Sequence, residues 1–253
     1  MHDKTFRAFA RTLAVLLALL VGFAAASPAL AEEGGYPNAN VNVHDQASLQ
    51  RGARIFMNYC VGCHSLKYMR YSQMAEGLGL TEKQVMDNLN FTGVKFGDPI
   101  VSAMPEADAE KWLGKAPPDL SLEVGAKGAD WVAAYLESFY LDPATASGWN
   151  NTVFPNVAMP FPLWQLQGEQ VAVMNPAEKG QPATVKELKL AHPGSMTPEQ
   201  YDRAVRDLTA FLTYVSSPDE LVRSTMGAWV VLYLLFFTLF ALVLKKEYWK
   251  DVH

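Results

Sequence analysis

Cys60-Val61-Gly62-Cys63-His64 has the C-x-x-C-H spacing that attaches a c-type haem. Two thiols two residues apart reach the two vinyl groups along one porphyrin edge as thioethers, and the imidazole that follows meets the iron. These are the only two cysteines in the 253-residue chain, so neither a disulfide framework nor a four-cysteine zinc site competes for them. A thioredoxin-like redox pair also reads C-x-x-C. The directly adjacent His64 and the lack of a surrounding βαβ pattern weigh against it. The motif predicts one covalently attached haem c, with Cys60 and Cys63 as its thioether donors and His64 as an axial iron ligand.

Upstream of the motif, Lys4, Arg7 and Arg11 precede an apolar run from Leu13 to Ala26, and Ala29-Leu30-Ala31 stands before Glu32. That is the pattern of a secretory signal peptide, residues 1–31, cleaved after Ala31. Export agrees with the motif, because c-type haem is attached outside the cytoplasm. Downstream, Met226 to Leu244 is nineteen residues without a charge, about 28 Å as a helix and enough for one bilayer crossing. Lys245, Lys246 and Lys250 follow it and place the C-terminus in the cytoplasm by the positive-inside rule. Trp229, Tyr248 and Trp249 stand where interfacial aromatics anchor such a helix. The expected organisation is therefore a signal peptide (1–31), a periplasmic haem domain (32–221), a transmembrane helix with flanks (222–246) and a short cytoplasmic tail (247–253). The expected location is a bacterial inner membrane, crossed once.

Residues 32–221 carry 14 Lys and Arg against 23 Asp and Glu, a balance of −9. Such a surface disfavours nucleic acid and suits steering of a basic protein partner. Ala47 to Tyr59 reads as a helix capped by Asp45, with Leu49, Ala53, Ile55 and Phe56 as its apolar face. Thr197-Pro198-Glu199-Gln200 is an N-cap, a first-turn Pro and a capping-box partner, followed by Ala204, Val205, Leu208, Phe211, Leu212 and Val215 at helical spacing. Short helices are expected over Thr81–Asn88, Asp108–Leu113 and Asp130–Phe139. A small hairpin is expected from Val171–Met174 and Thr184–Leu188, with no longer series of strands. A helix leading into the haem motif and another closing the domain resemble the class I cytochrome c architecture. The predicted fold is mainly α: a cytochrome c-like haem domain with insertions, plus one C-terminal transmembrane helix.

The second axial position decides between two kinds of function. Filled by a protein ligand it makes an electron carrier; open or labile it suits a membrane-anchored haem sensor or peroxidase. His44 and His192 read as exposed loop residues. Ala103-Met104-Pro105 and Ala158-Met159-Pro160 share a tripeptide whose proline stiffens an extended loop, 40 and 95 residues beyond His64. Spacing typical of small cytochromes c favours Met104, which however opens the acidic stretch Pro105 to Glu110, the look of an exposed helix start. Composition favours Met159, within the aromatic, proline-rich run Phe154 to Trp164.

Three longer motifs extend the reading: Cys60 to Tyr71 (CVGCHSLKYMRY), Ala116 to Ser121 (APPDLS) and Val157-Ala158-Met159-Pro160. Together they resemble the cytochrome c1 family, the haem subunits of cytochrome bc1 (ubiquinol:cytochrome c oxidoreductase) complexes, in its bacterial form and over essentially the whole mature chain. The resemblance implies Met159 as the second iron ligand and Pro118 as a residue lining the haem. It implies an electron-transfer subunit rather than an enzyme on its own, in a respiratory or photosynthetic complex that is dimeric by family analogy. The implied partners are cytochrome b, a Rieske iron-sulfur protein as donor and a soluble or membrane-anchored cytochrome c as acceptor. The family usually has arginine shortly after Pro-Pro-Asp-Leu-Ser, near a haem propionate. This chain has Gly125 and Lys127 there, so a point charge replaces the planar fork.

Overall fold

The computed structural model describes residues 35–176 and 184–251, so the expected signal peptide lies outside the described residues. In chain order the elements are α1 (Gln46–Tyr59), β1 (Leu66–Arg70), α2 (Tyr71–Leu78), α3 (Glu82–Asn88), β2 (Pro99–Ile100), α4 (Glu106–Leu113), α5 (Glu123–Lys127) and α6 (Ala129–Glu137). Then come β3 (Phe139–Leu141), β4 (Trp149–Asn151), α7 (Trp164–Gln167), β5 (Gly168–Met174), β6 (Val185–Pro193), α8 (Pro198–Ser216) and α9 (Glu220–Tyr248). The mainly helical expectation holds.

Two well-capped helices form the frame. Asp45 accepts a hydrogen bond from the Ser48 amide at the start of α1. Thr197 and Gln200 exchange the two bonds of a capping box at the start of α8, with Pro198 in its first turn. Each cap satisfies amides that the first helical turn leaves without an internal partner. The apolar faces of these helices bury Leu49, Ala53 and Phe56 against Leu208, Phe211 and Val215, and the Phe56 and Phe211 rings lie 5.9 Å apart. Gly52 sits at the crossing, where a Cβ would stand 2.0 Å from the Asp207 carbonyl oxygen and 2.7 Å from Phe211 Cβ. Beside that contact Asp207, only 8% exposed, accepts from Ser48 Oγ at 2.6 Å and from Arg51 at 2.9 Å. The charge is thus paired and hydrogen-bonded where the helices leave it little water.

The strands exceed the expected hairpin. β5 and β6 pair antiparallel from Gly168 opposite Pro193 to Met174 opposite Val185. They join β3 and β4 in a four-stranded sheet of order β4-β3-β5-β6, in which β3 and β5 run parallel. His192, expected in a loop, lies in β6 with its Nδ1 3.0 Å from Glu169. The hairpin extends through Gly168 because that residue adopts φ +98° and approaches the backbone of His192 to Gly194, where a Cβ would meet oxygen at 2.2 Å. A glycine and a proline that read as strand breakers are here part of the pairing.

At the end of α6, Glu137 faces Asp202 and Arg206 of α8. Desolvation first, then Asp202, push its carboxyl up to about 7, with Arg206 opposing. Its folded-state value lies above its unfolded one, so the native state holds a proton that the unfolded chain has released between about pH 4.5 and 7. Stability from this group is complete below that window and is lost as pH rises through it. Glu137→Gln is expected to flatten that decline, measured as the urea midpoint of the haem-loaded protein in detergent between pH 5 and 8. An unchanged slope would locate the proton elsewhere.

After α8 the chain turns within Ser217-Pro218-Asp219, held by the Glu220 amide on the Ser217 carbonyl and the Arg223 amide on the Asp219 carbonyl. α9 then runs 29 residues without interruption and is long and apolar enough to cross a bilayer. Its side chains from Met226 to Leu244 are exposed. Lys245 sits over the Trp249 ring at 5.7 Å, at the end where basic and aromatic residues cluster.

Candidate functional site

The C-terminus of α1 delivers the haem motif as one tight turn. The Cys63 and His64 amides both donate to the Cys60 carbonyl, at 3.0 and 2.8 Å, so the two thiols and the imidazole are gathered on a single loop. No disulfide joins the two cysteines; Cys60 is half-buried and Cys63 exposed. Burial, with a smaller contribution from Cys63, pushes the Cys60 thiol up to about 12, and burial raises Cys63 as well. A redox-active C-x-x-C pair has the opposite property, a thiol of depressed pKa. Among the described residues no group of three or more His, Cys, Asp or Glu side chains is arranged to hold a bare metal ion.

His64 Nδ1 lies 2.8 Å from the Pro118 carbonyl oxygen. Donation from Nδ1–H to that oxygen fixes the tautomer, orients the ring and leaves Nε2 as a lone-pair donor. Burial lowers the His64 pKa, outweighing the bond to Pro118 and the nearby charges of Glu123 and Asp119. The neutral imidazole, the form that binds metal, is favoured. The Pro118 segment is itself stapled to the motif. The Leu120 amide donates to the Ser65 carbonyl, the Lys67 amide to Asp119 Oδ2, and the Tyr68 amide to Ser121 Oγ. Pro-Pro-Asp-Leu-Ser therefore works as a clip on the residues following His64.

The two methionines separate. The Met104 amide donates to Ser102 Oγ, and Ser102 is tied in turn to the Gly62 carbonyl and to Ser65 Oγ. Met104 thus precedes α4 on a segment anchored beside the attachment loop, and α4 presents Trp112 to solvent at 67% exposure. Met159 packs against the main core instead, and its sulfur accepts a hydrogen bond from the Tyr135 hydroxyl at 3.6 Å. Tyr135 stacks on Trp131 at 5.1 Å and meets Phe139 edge-on at 5.0 Å; Phe139 stacks on Phe161, which meets Trp149. Burial holds the Tyr135 phenol well above its usual range, so it remains a donor.

Asn150 and Asn151 shape the loop that leads to Met159. Asn151 Oδ1 accepts the Val153 and Phe154 amides at 2.9 Å, and its Nδ2 donates to the Tyr135 carbonyl at 2.8 Å. Asn150 Oδ1 accepts the Asn156 amide, where the backbone turns through φ +61°. Lys127 puts its ammonium 5.4 Å from the centroid of the Trp131 ring. Sequence reasoning had no motif for Tyr135 or the asparagines. Their signals were the i, i+4, i+8 run of Trp131, Tyr135 and Phe139 and an Asn-Asn pair entering an aromatic loop.

The donors fit a c-type haem. Two thiols lie on one turn, a neutral imidazole has one nitrogen spoken for and the other free, and a thioether is held by an aromatic wall. The described histidines beyond His64 are His44 and His192, both exposed.

The model of the Cytochrome C1 family matches residues 37–252. Cytochrome c1 of Allochromatium vinosum is 51% identical over 227 residues, covering 88% of this chain and 93% of that protein. The ammonia monooxygenase gamma subunit of Nitrosomonas europaea is 40% identical, covering 95% and 97%. Cytochrome c1 of Blastochloris viridis is 27% identical, covering 93% and 95%. With a family match spanning the haem loop, the Met159 loop and the C-terminal helix, the chain belongs to the cytochrome c1 family.

Proposed function

We propose that this chain is a membrane-anchored one-electron relay that takes electrons from a Rieske iron-sulfur protein and passes them to a soluble or membrane-anchored cytochrome c. Its setting is a bc1 complex, beside cytochrome b. Members of the cytochrome c1 family are electron-transfer haem subunits of that complex. Cys60 and Cys63 would carry the haem as thioethers, His64 and Met159 would ligate its iron, and Pro118 would line the ring. α9 crosses the bilayer with the haem domain in the periplasm and the Lys-rich end in the cytoplasm.

When bound, the haem supplies an iron that cycles between two oxidation states. The chain supplies the surroundings. The Pro118 carbonyl makes the His64 ring a better donor and stops it rotating. The Met159 thioether, a soft ligand, favours the reduced state and raises the potential. Tyr135, stacked on Trp131 and edge-on to Phe139, packs beside that sulfur. No side chain is asked to move a proton or form a bond in the electron step, so turnover belongs to the assembled reductase.

The observation that carries this reading is the pair of oriented donors, His64 on Pro118 and Met159 under Tyr135. A sensor or peroxidase needs an open iron position faced by a polarising His or Arg, and both other described histidines are exposed. The test is purification of the full chain from detergent-solubilised membranes with its partners. The near-infrared band of methionine-to-ferric-iron ligation is expected in the native protein and in Met104→Ala and to vanish in Met159→Ala. A band that survives in Met159→Ala sinks the ligand assignment. A chain that purifies without a b-type cytochrome and an iron-sulfur protein sinks the complex assignment.

A further inference from the structure

Among the described residues, the Tyr135 hydroxyl is the polar group recorded as donating to the sulfur of Met159, a proposed iron ligand. A thioether sulfur has two lone pairs: one for a metal, the other free to accept. We infer that Tyr135 is a positioning residue that raises the haem potential by donating a hydrogen bond to the Met159 sulfur, an inference that rests on Met159 being the second axial ligand.

The geometry makes the donor rigid. Tyr135 Oη lies 3.6 Å from Met159 Sδ, within the longer range that sulfur acceptors require. The phenol ring is nearly parallel to Trp131, at 7°, and steeply inclined to Phe139, at 71°. Lys127 places its ammonium over the Trp131 ring. The Tyr135 carbonyl is gripped by Asn151, whose side chain also holds the loop that leads to Met159. Donor and acceptor are thus tied to one asparagine, and the ring has neighbours on both sides. Little reorganisation is left except rotation about the C–O bond.

The sign follows from the electrons. A proton donor at the second lone pair draws density from sulfur and weakens its donation to iron. Ferric iron depends more on that donation than ferrous iron does, so the bond favours the reduced state. Its removal in Tyr135→Phe is expected to lower the equilibrium constant for one-electron reduction about fivefold, a fall of about 40 mV at 59 mV per tenfold. Phenylalanine keeps both ring contacts, so the fold is preserved. Tyr135→3-fluorotyrosine keeps the shape and makes the phenol a stronger donor, so its potential is expected to rise.

The experiment is a redox titration of the haem-loaded full chain in detergent, with the near-infrared methionine band recorded on each variant. Opposite shifts for the two variants, with the band retained in both, support the inference, since a packing role gives no such reversal. Unchanged potentials with the band retained overturn it. Loss of the band in Tyr135→Phe also overturns it, because Tyr135 would then act by holding the loop. The ligand reading is judged apart from this, by Met159→Ala: a surviving band there fails that reading whatever the tyrosine variants do.

Discussion

Gly52→Ala is expected to destabilise the haem domain by about 3 kcal/mol or more, although alanine is the better helix former. The propensity gain is about 1 kcal/mol for an interior position. Against it stands a Cβ placed 2.0 Å from the Asp207 carbonyl oxygen and 2.7 Å from its carbon. Those are backbone atoms of α8, which no side-chain rotation can move aside. The helices must separate by roughly an ångström, and that gap loosens the Phe56–Phe211 contact and the Ser48–Asp207 bond along the same seam. Gly97→Ala is the control, since a Cβ there meets nothing within 4 Å. Chemical denaturation of the two purified variants should put Gly52→Ala far below the parent and Gly97→Ala within about 0.5 kcal/mol of it. Equal midpoints would mean that the crossing is not the tight contact described.

The second large effect is expected at Asn151, which is only 1% exposed. Asn151→Ala removes an acceptor from the Val153 and Phe154 amides and from the Ser138 hydroxyl, and a donor from the Tyr135 carbonyl. Each buried group left without a partner costs about 1–3 kcal/mol, and water reaches the partly exposed Phe154 end of the loop. A total loss of about 3 kcal/mol is therefore expected. Unlike Gly52→Ala, this change strikes the approach to Met159 directly. The near-infrared methionine band should weaken or disappear before the domain unfolds as urea is raised, whereas in Gly52→Ala the two should be lost together. A band as persistent as the parent's would show that the loop owes its order to other contacts.

The helical frame was legible because its instructions are local. Asp45, and Thr197 with Pro198 and Gln200, are caps written within four residues of the helix they start, and the apolar faces repeat at 3.6 residues. β3 and β4 have three residues each, too few to display alternation, and their pairing depends on a turn closed at Gly148. The haem loop was legible for the same reason as the caps. Its supports were not: the group that orients His64 is a backbone carbonyl 54 residues away, which no residue type announces. The choice between Met104 and Met159 likewise set two local cues, spacing and composition, against each other. What separates the two in space is the Tyr135 hydroxyl, 24 residues from Met159, and the Ser102 anchor at the other site.

The turn at Ser217-Pro218-Asp219 has a mechanical consequence. Three residues span about 10 Å at full stretch, and here they are curled and hydrogen-bonded on both sides. With α9 in a bilayer, so short a connection would hold the folded domain within a few residues of the membrane surface, and its distance from the bilayer would be set by the turn rather than by a long linker.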